Sequence, residues 1–194
     1  FRDTDFFTPG NIDGNSSAEW TVDTSSSHLM INEVLANNLS KAHEGTVPDM
    51  IELYYDGTQP LDLGGYRMTD NKDMSAKFVF TPGTMIHPGE YLVVYADTAA
   101  TSGIHTGFAL DSNGDDIYLL DSAGIIIDSL TFGCQLADKS IGRVGDKEEW
   151  ILTEPTLGSK NIPASRGDFR TLKINEWFAD GSILYVNDWL EIYN

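Results

Sequence analysis

Between residues 28 and 163 the chain is written in short apolar runs separated by Gly, Pro, Asn, Asp and Ser. The runs are rich in Val, Ile, Leu, Tyr and Phe, and turn residues bound nearly all of them, which is the pattern of strands. The predicted strands are 29–36, 49–55, 65–69, 77–80, 90–96, 105–110, 115–121, 125–132, 140–144 and 149–153. No window keeps a 3.6-residue apolar period, so little helix is expected. Residues 90–96 are apolar on both alternating faces (Tyr91, Val93, Tyr95 and Leu92, Val94, Ala96), which predicts a central strand covered on both sides. Asn113-Gly114 between two runs reads as the turn of a hairpin, because both residues tolerate positive φ. Ser122-Ala123-Gly124 separates two further runs, and Pro82-Gly83 and Pro88-Gly89 flank the short segment 84–86. Many short strands with frequent turns predict an all-β protein, a sandwich or a barrel.

The same pattern returns near the end of the chain. LMINEVLA at 29–36 recurs as LKINEWFA at 172–179, and DMIELY at 49–54 recurs as DWLEIY at 188–193, with a shorter connection in the second copy. A weaker echo joins Thr8-Pro9-Gly10-Asn11 to Thr156-Leu157-Gly158-Ser159-Lys160-Asn161. Self-similarity of this kind marks repeated modules. The expected organisation is the end of a preceding repeat at 1–14, a linker at 15–27, a complete sandwich at 28–163, a linker at 164–171, and the start of a second repeat at 172–194. The chain is therefore expected to be a piece of a longer protein. The second copy has two strands' worth of apolar residues, and it should be loosely held or borrow an edge of the complete module.

Composition narrows the partners. The net charge is −18, from 30 acidic and 12 basic residues, and no basic run is present. Nucleic-acid affinity rests on Lys and Arg neutralising phosphates, so no nucleic-acid partner is expected. The longest apolar stretch, Tyr91–Ala96, is far short of a membrane span. The single cysteine, Cys134, permits no intrachain disulfide and is expected to be a small buried residue without a cationic neighbour.

Taken together, INEV at 31–34, DMIELYY at 49–55, DLGGYRMTD at 62–70, KFVFTPGTMIHPGEYLVVYAD at 77–97 and SNGDDIYLLDSAGIIIDSLTF at 112–132 resemble the lamin tail domain. The likeness is to the versions found in exported and surface proteins of bacteria, and SIGRVGDKEEWILTEPTLGSKN at 140–161 is similar to the segment that closes them. The resemblance implies an immunoglobulin-like antiparallel β-sandwich without catalytic residues. It further implies an extracellular or cell-surface location and a binding or spacer role in a larger protein, in adhesion, substrate targeting or domain presentation. The partners would be neighbouring repeats and a protein or polysaccharide ligand. The alternatives are an accessory domain of an extracellular hydrolase and a calcium-stabilised surface rod. The nuclear role of lamins does not carry over, because no heptad rod, basic localisation run or prenylation signal is in view.

Three sets of residues are candidates for chemistry. Asp111, Asn113 and Asp115 place oxygens at positions 1, 3 and 5 of an EF-hand-like calcium loop. Position 6 is Asp116 instead of Gly and position 12 is Ser122 instead of Glu, so the hairpin turn is the leading reading and no other cofactor is expected. Glu33 and Glu52, echoed by Glu176 and Glu191, resemble a carboxylate pair but sit inside apolar strands. A buried carboxylate needs partners, and backbone amides, Lys77, Arg67 and Arg143 are the expected ones. His28, His43, His87 and His105 read as scattered surface or loop residues without a zinc spacing. The aromatics Tyr54, Tyr55, Tyr66, Phe78, Phe80, Tyr91, Tyr95 and Phe108 could line a sugar-binding face, but at strand spacing they read first as core. Loops 37–48, 70–76 and 97–104 are the better binding candidates, and strand 149–153 is expected to offer an open edge.

Overall fold

The computed structural model describes residues 28–73, 76–99, 102–145, 148–165, 167–179 and 189–193. The expectations for 1–14 and 15–27 lie outside them. In chain order the strands are β1 (Leu29–Leu35), β2 (Asp49–Tyr55), β3 (Leu61–Asp62), β4 (Arg67–Thr69), β5 (Phe78–Val79), β6 (Met85–Ile86), β7 (Tyr91–Ala96), β8 (Gly114–Leu120), β9 (Ile126–Gly133), β10 (Ser140–Val144), β11 (Glu149–Glu154) and β12 (Ile162–Pro163). One sheet runs β12-β11-β10-β1-β2-β7 and the other β5-β4-β8-β9, with β3 and β6 forming a small ribbon of their own. All these ladders are antiparallel, and the architecture is an immunoglobulin-like β-sandwich.

Period-two alternation fills the space between the sheets. Ile31, Val34, Ile51, Leu53 and Val94 of the first sheet join Met68, Ile117 and Leu119 of the second, with Phe80 and Ile86, in one buried cluster. The register of β1 against β2 slips at Asn32, so that Ile31 opposes Leu53 while Glu33 opposes Glu52. This bulge lets Ile31 and Val34 both reach the core and turns Glu33 to the outer face. β1 pairs with β10 at Glu33 and Val34. Nearer its start, the N–H of Ile31 donates to Asp128 (2.7 Å) and its carbonyl accepts from Arg143 Nε (2.8 Å). Arg143 and Asp128 are themselves paired at 3.0 Å, so an ion pair stands where a neighbouring strand would.

Several expectations are corrected. Residues 105–110 form no strand: His105 makes one parallel bridge to Tyr95, and the chain then crosses to the other sheet. Asn113-Gly114 is consequently a tight turn but not a hairpin turn, since β8 pairs with β4 and β9. The hairpin is β8–β9, closed at Asp121–Gly124. β7 is the last strand of its sheet instead of a central one. Its open edge is shielded by the 104–107 segment, through Tyr95 N–H to Ile104 and Thr106 N–H to Tyr95, and its outer-face tyrosines are only half-buried. The edge at β11 is partly covered, because β12 pairs with Thr153 and Glu154. Cys134 is exposed. Gln135 turns inward beside it, donating its N–H to Ser112 and its side-chain amide to Gly133, which leaves Cys134 facing out.

After a 3-10 turn at Phe169–Thr171, β13 (Lys173–Phe178) and β14 (Trp189–Tyr193) form a separate two-stranded sheet. Its register repeats that of β1–β2: Ile174 opposes Ile192, Glu176 opposes Glu191, and the slip falls at the residue between. Asn175 donates to Glu191 as Asn32 does to Glu52. The residues at core positions are left exposed, with Trp177 71% and Ile174 64% accessible. This hairpin takes no place in either sheet of the sandwich, so of the two outcomes expected for it, the borrowed edge is not the one adopted.

Candidate functional site

The outer face of the six-stranded sheet is crossed by residues 155–161, a strap that follows β11. Beneath it Glu33 and Glu52 are both fully buried. Glu33 accepts from Ser140 Oγ (2.5 Å), Thr156 N–H (2.9 Å) and Thr156 Oγ1 (3.2 Å). Glu52 accepts from the Asn32 side-chain amide (2.7 Å) and from the N–H of Gly158. Asn161 closes the strap by donating to the carbonyls of Asn32 and Arg143, both at 2.9 Å. It comes that close because residue 142 is Gly: a Cβ there would lie 2.6 Å from the Asn161 amide nitrogen. Gly158 holds a φ of +88°, a left-handed conformation that turns its N–H towards Glu52.

Backbone amides and neutral side chains therefore hold the pair, and the expected cationic partners are engaged elsewhere. Arg143 pairs with Asp128 and Lys77 with Asp70, while Arg67 lies beside Gly124. Burial pushes the Glu52 carboxyl up to about 7, against the pull of the Gly158 and Asn32 donors and with a further push from Glu33. Burial also raises Glu33. A carboxyl sealed beneath a strap has no open side to offer a substrate, so its chemistry is that of a structural clamp.

A groove of about 270 Å³ lies beside the strap, lined by Met30, Tyr54, Tyr91, Arg143, Glu148 and Lys160 among others. Tyr54 of β2 and Tyr91 of β7 are cross-strand partners whose ring centroids lie 4.7 Å apart at 34°. Arg143 stacks on Trp150 with its guanidinium 4.8 Å from the ring centroid. The predicted aromatic set is thus divided between two faces. Tyr55, Phe80 and Phe108 are core, Tyr66 and Phe78 pack against it half-buried, and Tyr54, Tyr91 and Tyr95 stand on the outer sheet.

At one end of the sandwich the loops at 37–48 and 97–107 are tied together. His43 stacks on Tyr95 with centroids 3.8 Å apart, and His43 Nε2 and His105 Nε2 both donate to the Ser102 carbonyl at 2.7 and 3.1 Å. His105 Nδ1 lies 2.5 Å from Asp97 Oδ1. Glu44 accepts from the Ser102 hydroxyl and N–H. These histidines, read as scattered, therefore meet at one carbonyl. His105 has an acceptor at each ring nitrogen, a geometry that suits imidazolium. Its pKa is raised, chiefly by the Asp97 bond. His28 and His87 instead pair with Asp56 and Glu90 at the surface.

Asp111, Asn113 and Asp115 come together, but their oxygens serve the turn. Asp111 Oδ1 accepts from Asn113 N–H (2.8 Å) and Nδ2 (3.0 Å), and Asp115 accepts from the N–H groups of Asp111 and Asp116. Among the described residues no three His, Cys, Asp or Glu side chains converge as a metal site, and no helix is long and apolar enough to cross a membrane.

The strap is what sequence reasoning missed. Its signals were the likeness of 140–161 to a closing segment and the echo of Thr8-Pro9-Gly10-Asn11 in 156–161, where Thr156, Gly158 and Asn161 are the residues that hold the strap over the glutamates. Compared with known families, residues 23–134 match the Lamin Tail Domain. The match ends before β10, β11 and β12, which complete the six-stranded sheet, and before the strap. No individual curated protein matches the chain.

Proposed function

Because the chain belongs to the lamin tail domain family, an immunoglobulin-like, non-catalytic fold often used as a binding or structural module, we propose that it is a tandem binding and spacer segment of a larger exported protein. Its work is adhesion, substrate targeting or the presentation of neighbouring domains at the cell surface. The observation that carries this reading is β13–β14. It reproduces the β1–β2 register, slip and Asn–Glu bond residue for residue while leaving its core positions bare. A ribbon with that pattern is the opening of a second sandwich, so the chain spans a junction between modules. The acidity of the chain keeps such an array soluble and mutually repelling.

The test is to read the gene outward in both directions and to locate its full product by protease shaving of intact cells. An export signal, further copies of the β1–β2 pattern and release by shaving are expected. A product that shaving leaves untouched, with no further copy, would remove the proposal. A catalytic domain next in the chain would assign the module to that enzyme as its targeting part.

A further inference from the structure

We propose that the groove over Tyr54 and Tyr91 binds an uncharged pyranose unit of a polysaccharide; this rests on the binding-module reading above and names the ligand class. The groove is about 270 Å³, the size of a small-ligand subsite, and the Tyr54–Tyr91 pair is part of its lining. Among the described residues, neither tyrosine hydroxyl makes a hydrogen bond within the protein, nor does the Lys160 ammonium or the Glu148 carboxylate. Such an arrangement offers what a sugar ring needs. The exposed ring surface of the pair meets its C–H surface, while one group that only donates and one that only accepts address its hydroxyls.

Charge selects among sugars. Arg143 is neutralised by Asp128, and the remaining free charges of the groove, Lys160 and Glu148, are opposite and single. The chain around them carries −18. A polyanionic glycan would be repelled at long range and find one cation already balanced at short range. A neutral polyhydroxylated ring meets no such penalty.

The repeat adds a second, independent argument. Asn32, Glu33 and Glu52 recur as Asn175, Glu176 and Glu191, which the strap's hydrogen bonds explain. Tyr54 recurs in register as Tyr193, although its hydroxyl makes no hydrogen bond. Of the core positions, Leu29 and Ile31 are kept as Leu172 and Ile174, while Val34 becomes Trp177 and Leu53 becomes Ile192. A groove residue kept without a hydrogen bond of its own is what a use outside the fold requires.

The experiment titrates the full chain with a β-1,4-linked glucose hexamer and, separately, with an α-1,4-linked galacturonate hexamer, following backbone amide NMR shifts to roughly 10 mM sugar, a range that detects millimolar Kd. Saturable shifts at residues 54, 91 and 160 with the neutral hexamer are expected. Tyr91→Leu should weaken them about threefold to tenfold, the worth of an aromatic stacking contact. Lys160→Ala should weaken them severalfold while leaving Tm unchanged, which separates binding from folding. The proposal is overturned if neither hexamer binds, if both variants bind as the parent does, or if the galacturonate hexamer binds tighter. None of these outcomes bears on export or tandem copies, which the gene and the shaving experiment decide separately.

Discussion

The substitution Glu52→Gln separates what burial of this carboxyl costs from what its hydrogen bonds contribute. The carboxyl sits near its ordinary value of 4.5 in the unfolded chain and at about 7 in the folded one. The folded state therefore binds more protons between those two values. The stabilisation is fully present below pH 4.5 and is lost as pH rises through about 7. The gap is roughly 2.5 pH units at about 1.4 kcal/mol each, or about 3–4 kcal/mol of stability that the protein loses on going to alkaline pH. A glutamine in this place cannot ionise, and its carbonyl can still accept from one of the two donors, the Asn32 amide or Gly158 N–H. Its own NH2 lacks an acceptor there, a loss of about 1 kcal/mol. At about pH 4.5 the variant should be about 1 kcal/mol less stable than the parent. At about pH 8.5 it should be more stable by about 2 kcal/mol. The assay is urea unfolding of both full chains followed by far-UV circular dichroism across that pH range. General repulsion among the acidic residues tilts both curves alike and cancels in the difference. Parallel curves, or a variant weaker by a constant amount at every pH, would show that Glu52 is ionised in the fold and that the argument from burial is wrong.

Gly142→Ala should push the new methyl group into the Asn161 amide and Thr153. It is expected to cost about 1–3 kcal/mol as an overpacked site and to speed proteolysis within 155–161; unchanged stability would mean that the strap does not rest there. His105, held by Asp97, should titrate above 6.5 in an NMR pH series; its raised value means that its contribution fades as pH rises past that point. Asp97→Asn should bring it back down, and an unshifted His105 in the parent would refute the clasp geometry. Amides of 173–178 and 189–193 should exchange with solvent far faster than those of Ile51 and Leu53, because a lone two-stranded ribbon is marginal in water; equal protection would mean that the ribbon is covered. Millimolar calcium against chelator should leave Tm in place, since the Asp111 and Asp115 oxygens serve the turn. A rise of about 4 °C or more would restore the cation loop.

The apolar runs read at 29–36 and 49–55 are β1 and β2, and those read at 125–132, 140–144 and 149–153 are strands at Ile126–Gly133, Ser140–Val144 and Glu149–Glu154. Strand identity is legible because it needs only a period of two and bounding turns, both written within a few residues. The recurrence of INE and of a Glu flanked by apolar residues likewise foretold a second pair of strands, and the structure adds that the pair repeats the slip as well. Which strands neighbour one another was decided by tertiary structure. Tyr91–Ala96 reads as central on composition, yet it is the last strand: beyond it only the 104–107 segment bonds to Tyr95, and its outer tyrosines, Tyr91 and Tyr95, rest on Tyr54 and His43 instead of under a layer of protein. The segment at 105–110 has strand composition but finds only a single bridge. Most of all, the fate of Glu33 and Glu52 depended on a strap more than a hundred residues away along the chain. No local pattern reports that Thr156 and Gly158 will aim their N–H groups at those carboxylates, or that Gly142 will make room for Asn161. Burial and hydrogen bonding between distant segments are properties of the closed sandwich, and they alone turn an apparent catalytic pair into a clamp and bring two cross-strand tyrosines into the lining of a groove.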